Sequence, residues 1–263
     1  MESDALPHLP PPPEHFEQLF RASDDPWAMR ARWYEQRKRD LTLACLPARA
    51  YRSGFEPGCA NGELSAALAP RCAQLLVADF SAAAVAAARR RLHALPHVRV
   101  AQLRMPEQWP QQQFDLIVIS ELAYYLDAAQ LAQLVEAALA CLTPDGTLLA
   151  CHWRRMDPGA PQCERPDQDQ HRHRRQDPHQ DQHPDPHHRE RTLAGNDATA
   201  EPSAQSGAHA AQAIDAWHVH AAFDAAPQLH RLAHHLEDDF ILDVWSRDAR
   251  SVAQREGWLS ATP

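Results

Sequence analysis

A short glycine-containing loop is the strongest indication of chemistry in this sequence. Residues 55–62 read Phe-Glu-Pro-Gly-Cys-Ala-Asn-Gly, leave a predicted strand and enter a predicted helix. Glycine lets a backbone turn tightly and lets a ligand approach it closely. The loop therefore indicates a nucleotide-type cofactor site contributed by Glu56, Gly58, Cys59 and Gly62, although such a loop alone is often only a turn.

A carboxylate at the end of the next predicted strand strengthens this interpretation. Asp79 closes that strand, ahead of Phe80 and Ser81, and can accept hydrogen bonds from both hydroxyls of a ribose. The dinucleotide fingerprint has the glycine spacing G-x-G-x-x-G, whereas here two glycines lie four positions apart. This spacing favours S-adenosyl-L-methionine over a nicotinamide cofactor. An NAD-dependent oxidoreductase remains an alternative that nicotinamide binding would reveal.

The rest of the chain predicts an α/β fold that can hold these residues at one edge of a sheet. Short apolar runs alternate with alanine-rich helical runs, which is typical of βαβ units and a parallel sheet. A final hairpin predicts a seven-stranded, mostly parallel sheet with an antiparallel last strand. The predicted strands are 51–56, 75–79, 98–103, 116–120, 147–153, 231–237 and 240–246. The predicted helices are those from 16 to 38, 82–95 capped by Ser81, 128–142 capped by Asp127 with Gln130, and 214–223.

Composition limits the expected partners. The 263 residues carry a formal net charge of −9 at pH 7, which opposes the many basic contacts that sequence-independent binding to nucleic acid requires. Six scattered cysteines include no C-x-x-C pair, which indicates reduced thiols. Because no signal segment or run of transmembrane length is present, we expect a cytoplasmic protein that contacts neither nucleic acid nor membrane.

A low-complexity segment interrupts the predicted domain. Residues 157–191 consist almost entirely of Asp, His, Gln, Arg and Pro, and such a composition buries too little apolar area to offset the entropy lost on ordering. The expected organisation is a disordered N-terminus at 1–15, a core with the cofactor site at 16–156, a disordered insert at 157–211, the end of the core at 212–247, and a tail at 248–263.

The sequence resembles the S-adenosylmethionine-dependent methyltransferases, and specifically the nodulation-protein-S-like family, over residues 16–155 and 213–247. This resemblance implies a Rossmann-like class I methyltransferase fold and methyl transfer from S-adenosyl-L-methionine. The family's founding members N-methylate a deacetylated chitooligosaccharide, which implies a small-molecule or saccharide acceptor with an N or O nucleophile. Two departures are Ala60, where glycine is frequent, and the insert. The segments that carry the resemblance are Asp25-Pro26-Trp27, residues 33–38, 55–59 and 114–118, Ser120-Glu121, and residues 150–154.

The chemistry of methyl transfer selects the candidate catalytic residues. Displacement at a sulfonium requires a positioned neutral nucleophile and the exclusion of water. An amine acceptor must also lose a proton, and Glu121, Tyr124, Tyr125 and His152 follow or end the predicted fourth and fifth strands. We take Glu121, Tyr124 and His152 as the catalytic candidates, with a structural role for His152 equally open.

Other side chains complete the predicted cofactor site. Given the family's basic segment, Arg37 is a candidate to hold the methionyl carboxylate through a bidentate pair, or it lies on a solvated helix face. Met105 is the best candidate in a loop, with Leu103, Arg104 and Trp109, that usually covers adenine in this fold. Phe80 and Ser120 belong to the matched strand ends. Aromatic candidates that could face the sulfonium, adenine or a sugar are Trp27, Trp33, Tyr34, Tyr124, Tyr125 and Trp153, many of them also consistent with a core position.

The histidines of the insert do not indicate a metal site. Imidazoles are good ligands for transition metals, but these histidines lack fixed spacing or cysteine partners, so we predict no metal. They are His171, His173, His179, His183, His187 and His188. The competing hypothesis of another class is a non-catalytic Rossmann-like binding module with the insert as an interaction arm. An open acceptor face would favour the enzyme, and a face blocked by the insert would favour the module. The sequence does not indicate an oligomeric state.

Overall fold

The computed structural model describes residues 11–154 and 214–259 and contains a seven-stranded sheet. Its strand order is β3-β2-β1-β4-β5-β7-β6. The first five strands are parallel, and β7 pairs antiparallel with both β5 and β6. The predicted antiparallel last strand is therefore confirmed. The strands are β1 (Tyr51–Pro57), β2 (Cys72–Asp79), β3 (Val98–Gln102), β4 (Phe114–Ser120), β5 (Leu142–Trp153), β6 (His230–Leu236) and β7 (Phe240–Ser246).

Side-chain caps begin several of the helices, as the sequence predicts. The Ser81 hydroxyl accepts the Ala84 N–H, and Asp127 and Gln130 form the predicted capping box. The α-helices are α1 (Pro13–Ala22), α2 (Trp33–Cys45), α3 (Glu63–Leu68), α4 (Ala82–Leu92), α5 (Ala128–Cys141), α6 (Ala216–Asp224) and α7 (Val252–Arg255).

The sheet separates two apolar cores because both of its faces are covered. Along β4, Leu116 and Val118 pack into a core with α2, α3 and α4, whereas Ile117 and Ile119 pack into a core with α5 and α6. All four side chains are buried. Such continuous apolar runs are expected of strands in a parallel sheet that carries helices on both faces.

The order of the strands fixes the position of the site. β1 pairs with β2 on one side and with β4 on the other, so the chain reverses its winding direction between β1 and β4. In open α/β sheets, ligands bind beyond the carboxyl ends of the strands at such a switch point. The residues that follow Pro57, Asp79 and Ser120 therefore line the expected crevice.

The N-terminal region differs from the predicted pattern in two places. Helix α1 begins at Pro13, within the segment 1–15 that was expected to be disordered, because proline suits the first turn of a helix. Residues 27–32 form turns rather than a helix. There the Asp25 carboxylate accepts the N–H groups of Met29 and Arg30, and Ala28 has a positive φ of 54°.

Two other boundaries also differ from expectation. The predicted turn at 143–146 is part of β5, which begins at Leu142, and the pairing register with β4 shifts across it. The predicted tail contains α7, which begins with a capping box at Ser251. The predicted insert at 157–211 lies outside the described residues, as do residues 1–10. No helix in the described ranges is long and apolar enough to span a membrane.

Packing between α3 and α4 depends on a missing side chain. Gly62 precedes α3 with a positive φ of 83°, and a Cβ there would lie 3.2 Å from the Leu92 side chain and 3.3 Å from Ala88 Cα. We expect Gly62→Ala to lower the free energy of unfolding by roughly 2–4 kcal/mol, because it adds both left-handed strain and overpacking. Urea denaturation followed by circular dichroism measures this loss.

Gly257 provides a matched control for that substitution. It also has a positive φ, of 76°, but a Cβ there would meet nothing within 4 Å. Gly257→Ala should therefore report the backbone strain alone, about 1–2 kcal/mol. Equal losses for the two variants would contradict a packing role for Gly62.

Candidate active site

The loop after β1 is fixed by the neighbouring strand. The N–H groups of Gly58 and Cys59 both donate to the carbonyl of Ala78 in β2, at 2.7 and 2.9 Å. Gly58 has a positive φ of 74°, and a Cβ there would lie 3.3 Å from the side chain of Leu122, which follows β4. The predicted glycine loop thus lies between the carboxyl ends of β2 and β4, with bare backbone at its tightest point.

Asp79 organises the same loop from the end of β2. One carboxylate oxygen accepts the Ala60 N–H at 3.0 Å, and the other accepts the Ser81 N–H at 2.9 Å. Burial raises the pKa of Asp79 to about 6, while these N–H groups oppose the rise. A carboxylate has about four acceptor sites, so Asp79 keeps capacity for further hydroxyl donors.

Ala60 takes a conformation that usually favours glycine. Its φ is 50°, in the left-handed region, which raises the energy of a residue with a Cβ by roughly 1–2 kcal/mol. The hydrogen bond from Ala60 to Asp79 offsets part of this strain. The departure from the family's glycine pattern therefore leaves the shape of the loop intact.

Glu56 is a buried carboxyl group with unused capacity. Its Oε2 has no hydrogen-bond partner within the described residues. Burial raises the pKa of Glu56 to about 8, the Ser65 hydroxyl lowers it, and the charge of Asp79 raises it further. A buried polar atom without a partner calls for an explanation, and a bound cationic group would provide one.

An N-terminal segment is clamped against the glycine loop. The Asn61 amide donates to the Asp24 carbonyl at 3.1 Å and to the Asp25 carboxylate at 3.0 Å. The predicted cofactor residue Trp27 lies in this segment and packs edge-on against Phe20, with ring centroids 5.3 Å apart. Its contact with a cofactor remains a prediction.

Helix α1 bridges the ends of two strands above the crevice. Phe16 lies edge-on against Phe80 after β2, at 6.0 Å, and against Tyr125 after β4, at 4.9 Å. Glu17 accepts a hydrogen bond from the Ser81 hydroxyl at 2.6 Å. The predicted residue Phe80 is thereby held between α1 and the guanidinium of Arg104, which lies 5.1 Å from its ring centroid.

Glu121 is the centre of a polar cluster after β4. Its Oε1 pairs with Lys38 Nζ at 2.7 Å, and its Oε2 accepts the Tyr124 hydroxyl at 2.6 Å and the Trp153 N–H at 2.9 Å. Its φ of 53° is in the left-handed region, and such strain clusters at functional sites. Two of the predicted catalytic residues, Glu121 and Tyr124, are therefore in direct contact.

Lys38 belongs to this cluster although it is almost completely buried. Burial alone would lower the pKa of Lys38, but the carboxylates of Glu121 and Glu35 raise it above its usual range. Lys38 therefore stays charged and holds α2 against the end of β4. An interior charge of this kind is stable only when it is paired.

The geometry disfavours His152 as the general base. Its ring is fully buried, its Nε2 accepts the Ala123 N–H at 3.3 Å, and its Nδ1 lies 3.1 Å from Nε2 of His220. Both nitrogens are thus engaged. Burial and the nearby groups His220 and Lys38 hold the pKa of His152 well below its usual range, so the ring is neutral at pH 7.

Arg37 also differs from its predicted role. Its guanidinium makes the expected bidentate pair, but with Glu237 in the turn between β6 and β7, at 2.6 and 2.7 Å. That carboxylate lies 200 positions away in the sequence, so no local pattern could reveal it. The assignment of Arg37 to the methionyl carboxylate is not supported by this arrangement.

The other predicted side chains occupy the core or the strand ends. Met105, Trp109 and Cys59 are buried, and Tyr34 packs against Phe240. Ser120 ends β4, and its side of the crevice remains a predicted cofactor contact. Within the described ranges, no three His, Cys, Asp or Glu residues are grouped so that they could hold a metal ion. The histidines of the insert lie outside those ranges.

Sequence reasoning missed several residues that shape the site. Asn61 lies within the recognised loop, and its type could have suggested a contact beyond the turn. Lys38 carried no signal beyond its helical position. The contacts of His220 and Asp243 with His152 could not be inferred, because they join elements far apart in the sequence.

The sequence profile of nodulation protein S (NodS) matches residues 14–156. Nodulation protein S of Sinorhizobium fredii strain NBRC 101917 / NGR234 is 33% identical over 130 residues, which are 49% of this chain and 60% of the relative. Nodulation protein S of Rhizobium tropici is 32% identical over 130 residues, 49% of this chain and 55% of the relative. The chain therefore spans less than two thirds of the length of these relatives.

Solved structures show the same architecture. A provisionally assigned methyltransferase from Pseudomonas syringae is 44% identical and has a TM-score of 0.56, covering 82% of this chain and 99% of its own. The N-methyltransferase NodS from Bradyrhizobium japonicum WM9, in complex with S-adenosyl-L-homocysteine, has a TM-score of 0.61 at 20% identity, covering 89% and 96%. The predicted class I methyltransferase fold is confirmed. With a matching profile over more than half of its length, this chain belongs to the nodulation protein S family.

Proposed function

We propose that this protein is an S-adenosyl-L-methionine-dependent methyltransferase that acts on a nitrogen or oxygen of a small molecule or saccharide, with the amino group of an oligosaccharide as its acceptor. The observation that carries the proposal is the buried, unpartnered Oε2 of Glu56 beside a glycine loop and a strand-end aspartate. Membership of the nodulation protein S family supports it independently.

The residues at the crevice fit the chemistry of this cofactor. S-adenosyl-L-methionine carries a sulfonium, an ammonium and two ribose hydroxyls. Asp79 has acceptor capacity for the hydroxyls, and Glu56 offers a carboxyl oxygen to a cationic group. Gly58 leaves the backbone open to close approach. The bound cofactor supplies an electrophilic methyl group, and the protein must orient the acceptor and keep water out.

The acceptor side of the proposed reaction is formed by the residues after β4. An amine attacks only as the free base, so an ammonium acceptor must first lose a proton. Glu121 and the Tyr124 hydroxyl, 2.6 Å apart, are the polar pair at this strand end. We assign them the binding of the acceptor amine and the reception of its proton. His152, with both nitrogens engaged, supports them from behind.

Exposed tryptophans support a saccharide acceptor. Trp33, at the start of α2, is 69% exposed, and Trp217 in α6 is 45% exposed. The guanidinium of Arg154 lies 5.0 Å from the Trp217 ring centroid and also donates to the carbonyl of Glu237, the partner of Arg37 one helical turn after Trp33. Aromatic faces bordered by polar groups suit the apolar faces of sugar rings.

Turnover assays test the function directly. Purified protein and S-adenosyl-L-methionine are incubated with deacetylated chitooligosaccharides, and formation of S-adenosyl-L-homocysteine is measured. Fully acetylated oligomers of the same length serve as controls, because their amides lack a nucleophilic amine. Cofactor binding without turnover of amino sugars, small amines or hydroxyl acceptors would favour the binding-module hypothesis. Absence of cofactor binding would refute both.

Asp79 should dominate recognition of the ribose. We expect Asp79→Ala to weaken binding of S-adenosyl-L-homocysteine at least about tenfold, because hydrogen bonds to a charged group contribute roughly 1.5–3 kcal/mol each. Asp115 is a matched control, since its carboxylate also accepts two backbone N–H groups, those of Arg52 and Ser53, but at the amino end of β4. Calorimetry should show unchanged affinity for Asp115→Ala. Equal losses would attribute the effect to general destabilisation.

Cofactor binding should release a proton from Glu56. With a pKa of about 8 in the free protein, Glu56 is mostly protonated at pH 7 and must ionise to pair with a cationic group. We expect release of about 0.9 proton per S-adenosyl-L-methionine at pH 7, and affinity that rises with pH between 6 and 7.5. Asp79, with a pKa of about 6, is mostly ionised at pH 7 and contributes little.

Calorimetry in buffers of different ionisation enthalpy measures that proton. Glu56→Gln keeps the shape of the side chain but cannot ionise, so the release and the pH dependence should both disappear. Proton release that persists in this variant would assign it to another group.

A further inference from the structure

A line of buried polar side chains runs from the acceptor side of the crevice to the far strand of the sheet. Nδ1 of His152 lies 3.1 Å from Nε2 of His220, and Nδ1 of His220 lies 2.7 Å from Oδ2 of Asp243. The second oxygen of Asp243 lies 2.7 Å from Nδ1 of His234. His152, His220 and Asp243 are all buried, whereas the His234 side chain is partly exposed.

The backbone of one residue sets the direction of every hydrogen bond in this line. The Ala123 N–H can only donate, so Nε2 of His152 must be an acceptor. The proton of the neutral His152 ring is therefore on Nδ1 and is donated to Nε2 of His220. In turn, the proton of His220 is on Nδ1 and is donated to the Asp243 carboxylate. Both rings are thereby fixed as the Nδ1–H tautomer, the less common form of a free neutral histidine.

Asp243 is the anchor of the line, because it is the charged acceptor at its end. Burial raises the pKa of Asp243, but the hydrogen bonds from His220 and His234 lower it below its usual range. The guanidinium of Arg231, 3.7 Å from Oδ1, adds a positive charge. The carboxylate thus stays ionised and holds the His220 proton in place.

The other end of the line supports the turn that follows β4. Ala123, Tyr124 and Tyr125 form a 3₁₀ turn whose first N–H is held by His152. The Tyr124 ring packs edge-on against His152, with centroids 5.5 Å apart, and its hydroxyl reaches Glu121. Displacement of His152 would remove both the acceptor for Ala123 and the surface that supports Tyr124.

We propose that His220 and Asp243 are positioning residues that, through the tautomer of His152, hold the Tyr124-bearing turn in the geometry needed at the acceptor side. Their catalytic relevance rests on the proposed methyltransferase function. Both residues lie outside the segment 14–156 that matches the family profile. The C-terminal elements α6 and β7 therefore contribute to the acceptor side and do more than complete the sheet.

The tautomers provide a signature that simple packing would not fix. We expect long-range proton–nitrogen spectra of the full chain, labelled with ¹⁵N-histidine, to show His152 and His220 both as neutral Nδ1–H rings at pH 7. Assignment uses the loss of signals in His220→Phe and His152→Phe. A His152 ring in the Nε2–H form would overturn the proposal, because it could not accept the Ala123 N–H.

Hydrogen exchange at Ala123 tests the positioning itself. His220→Phe and Asp243→Leu should speed exchange of the Ala123 amide about tenfold or more, since each removes a link of the line. Asp243→Asn should retain protection, because its amide oxygen still accepts the His220 proton. His234→Ala is a matched control that contacts the same carboxylate on its exposed side and should leave Ala123 exchange unchanged.

These outcomes separate the proposal from the proposed function. Unchanged exchange in His220→Phe, or equal acceleration in His234→Ala, would overturn the positioning role. If His220→Phe does not fold, the wild-type tautomers and the comparison of Asp243→Asn with Asp243→Leu decide. S-adenosyl-L-homocysteine affinity should stay within about twofold of wild type in all folded variants, because the line ends at Ala123 and not at the glycine loop. Wild-type protein that binds no S-adenosyl-L-homocysteine would refute the function and leave the exchange result to stand independently.

Discussion

The left-handed backbone of the loop after β1 is the constraint on which the cofactor side depends. Gly58, Ala60 and Gly62 all have positive φ, at 74°, 50° and 83°, so the chain reverses direction within a few residues. This path brings the N–H of Ala60 to the Asp79 carboxylate and starts α3 where it can pack closely on α4. The orientation of Asp79, the entry of the helix and the space left for a ligand therefore follow from one stretch of backbone.

The acceptor side follows a different principle, which is the compensation of buried polar groups. Lys38 brings a charge into the interior and Glu121 neutralises it, while Tyr124 and the Trp153 N–H use the remaining capacity of that carboxylate. Behind them, His152 satisfies the Ala123 N–H. A buried network of this kind rigidifies a site only when every member has its partner. Each partner here comes from a different element, so the geometry of the turn after β4 depends on the whole sheet.

The difference between these two sides explains what the sequence could predict. Strands, helix caps, the glycine loop and the Asp79 carboxylate follow from local patterns: apolar periodicity, a capping residue, or a glycine between a strand and a helix. The boundary errors arose where a side chain overrode a propensity, as Asp25 does in the turns that precede α2. The roles of His152 and Arg37 could not be predicted, because their partners, His220 and Glu237, are distant in sequence.

The same difference determines where acceptor specificity can reside. The proposed cofactor side lies within residues 55–81, inside the segment 14–156 that matches the nodulation protein S profile. The acceptor side depends also on residues beyond that segment: His220 and Asp243 behind the turn, and Trp217 and Glu237 at the exposed rim. Contacts assembled over long sequence separations can change without disturbing a locally encoded cofactor loop. Two members of the family can therefore share the methyl donor and differ in the acceptor, and the residues after 213 are where such a difference would be encoded.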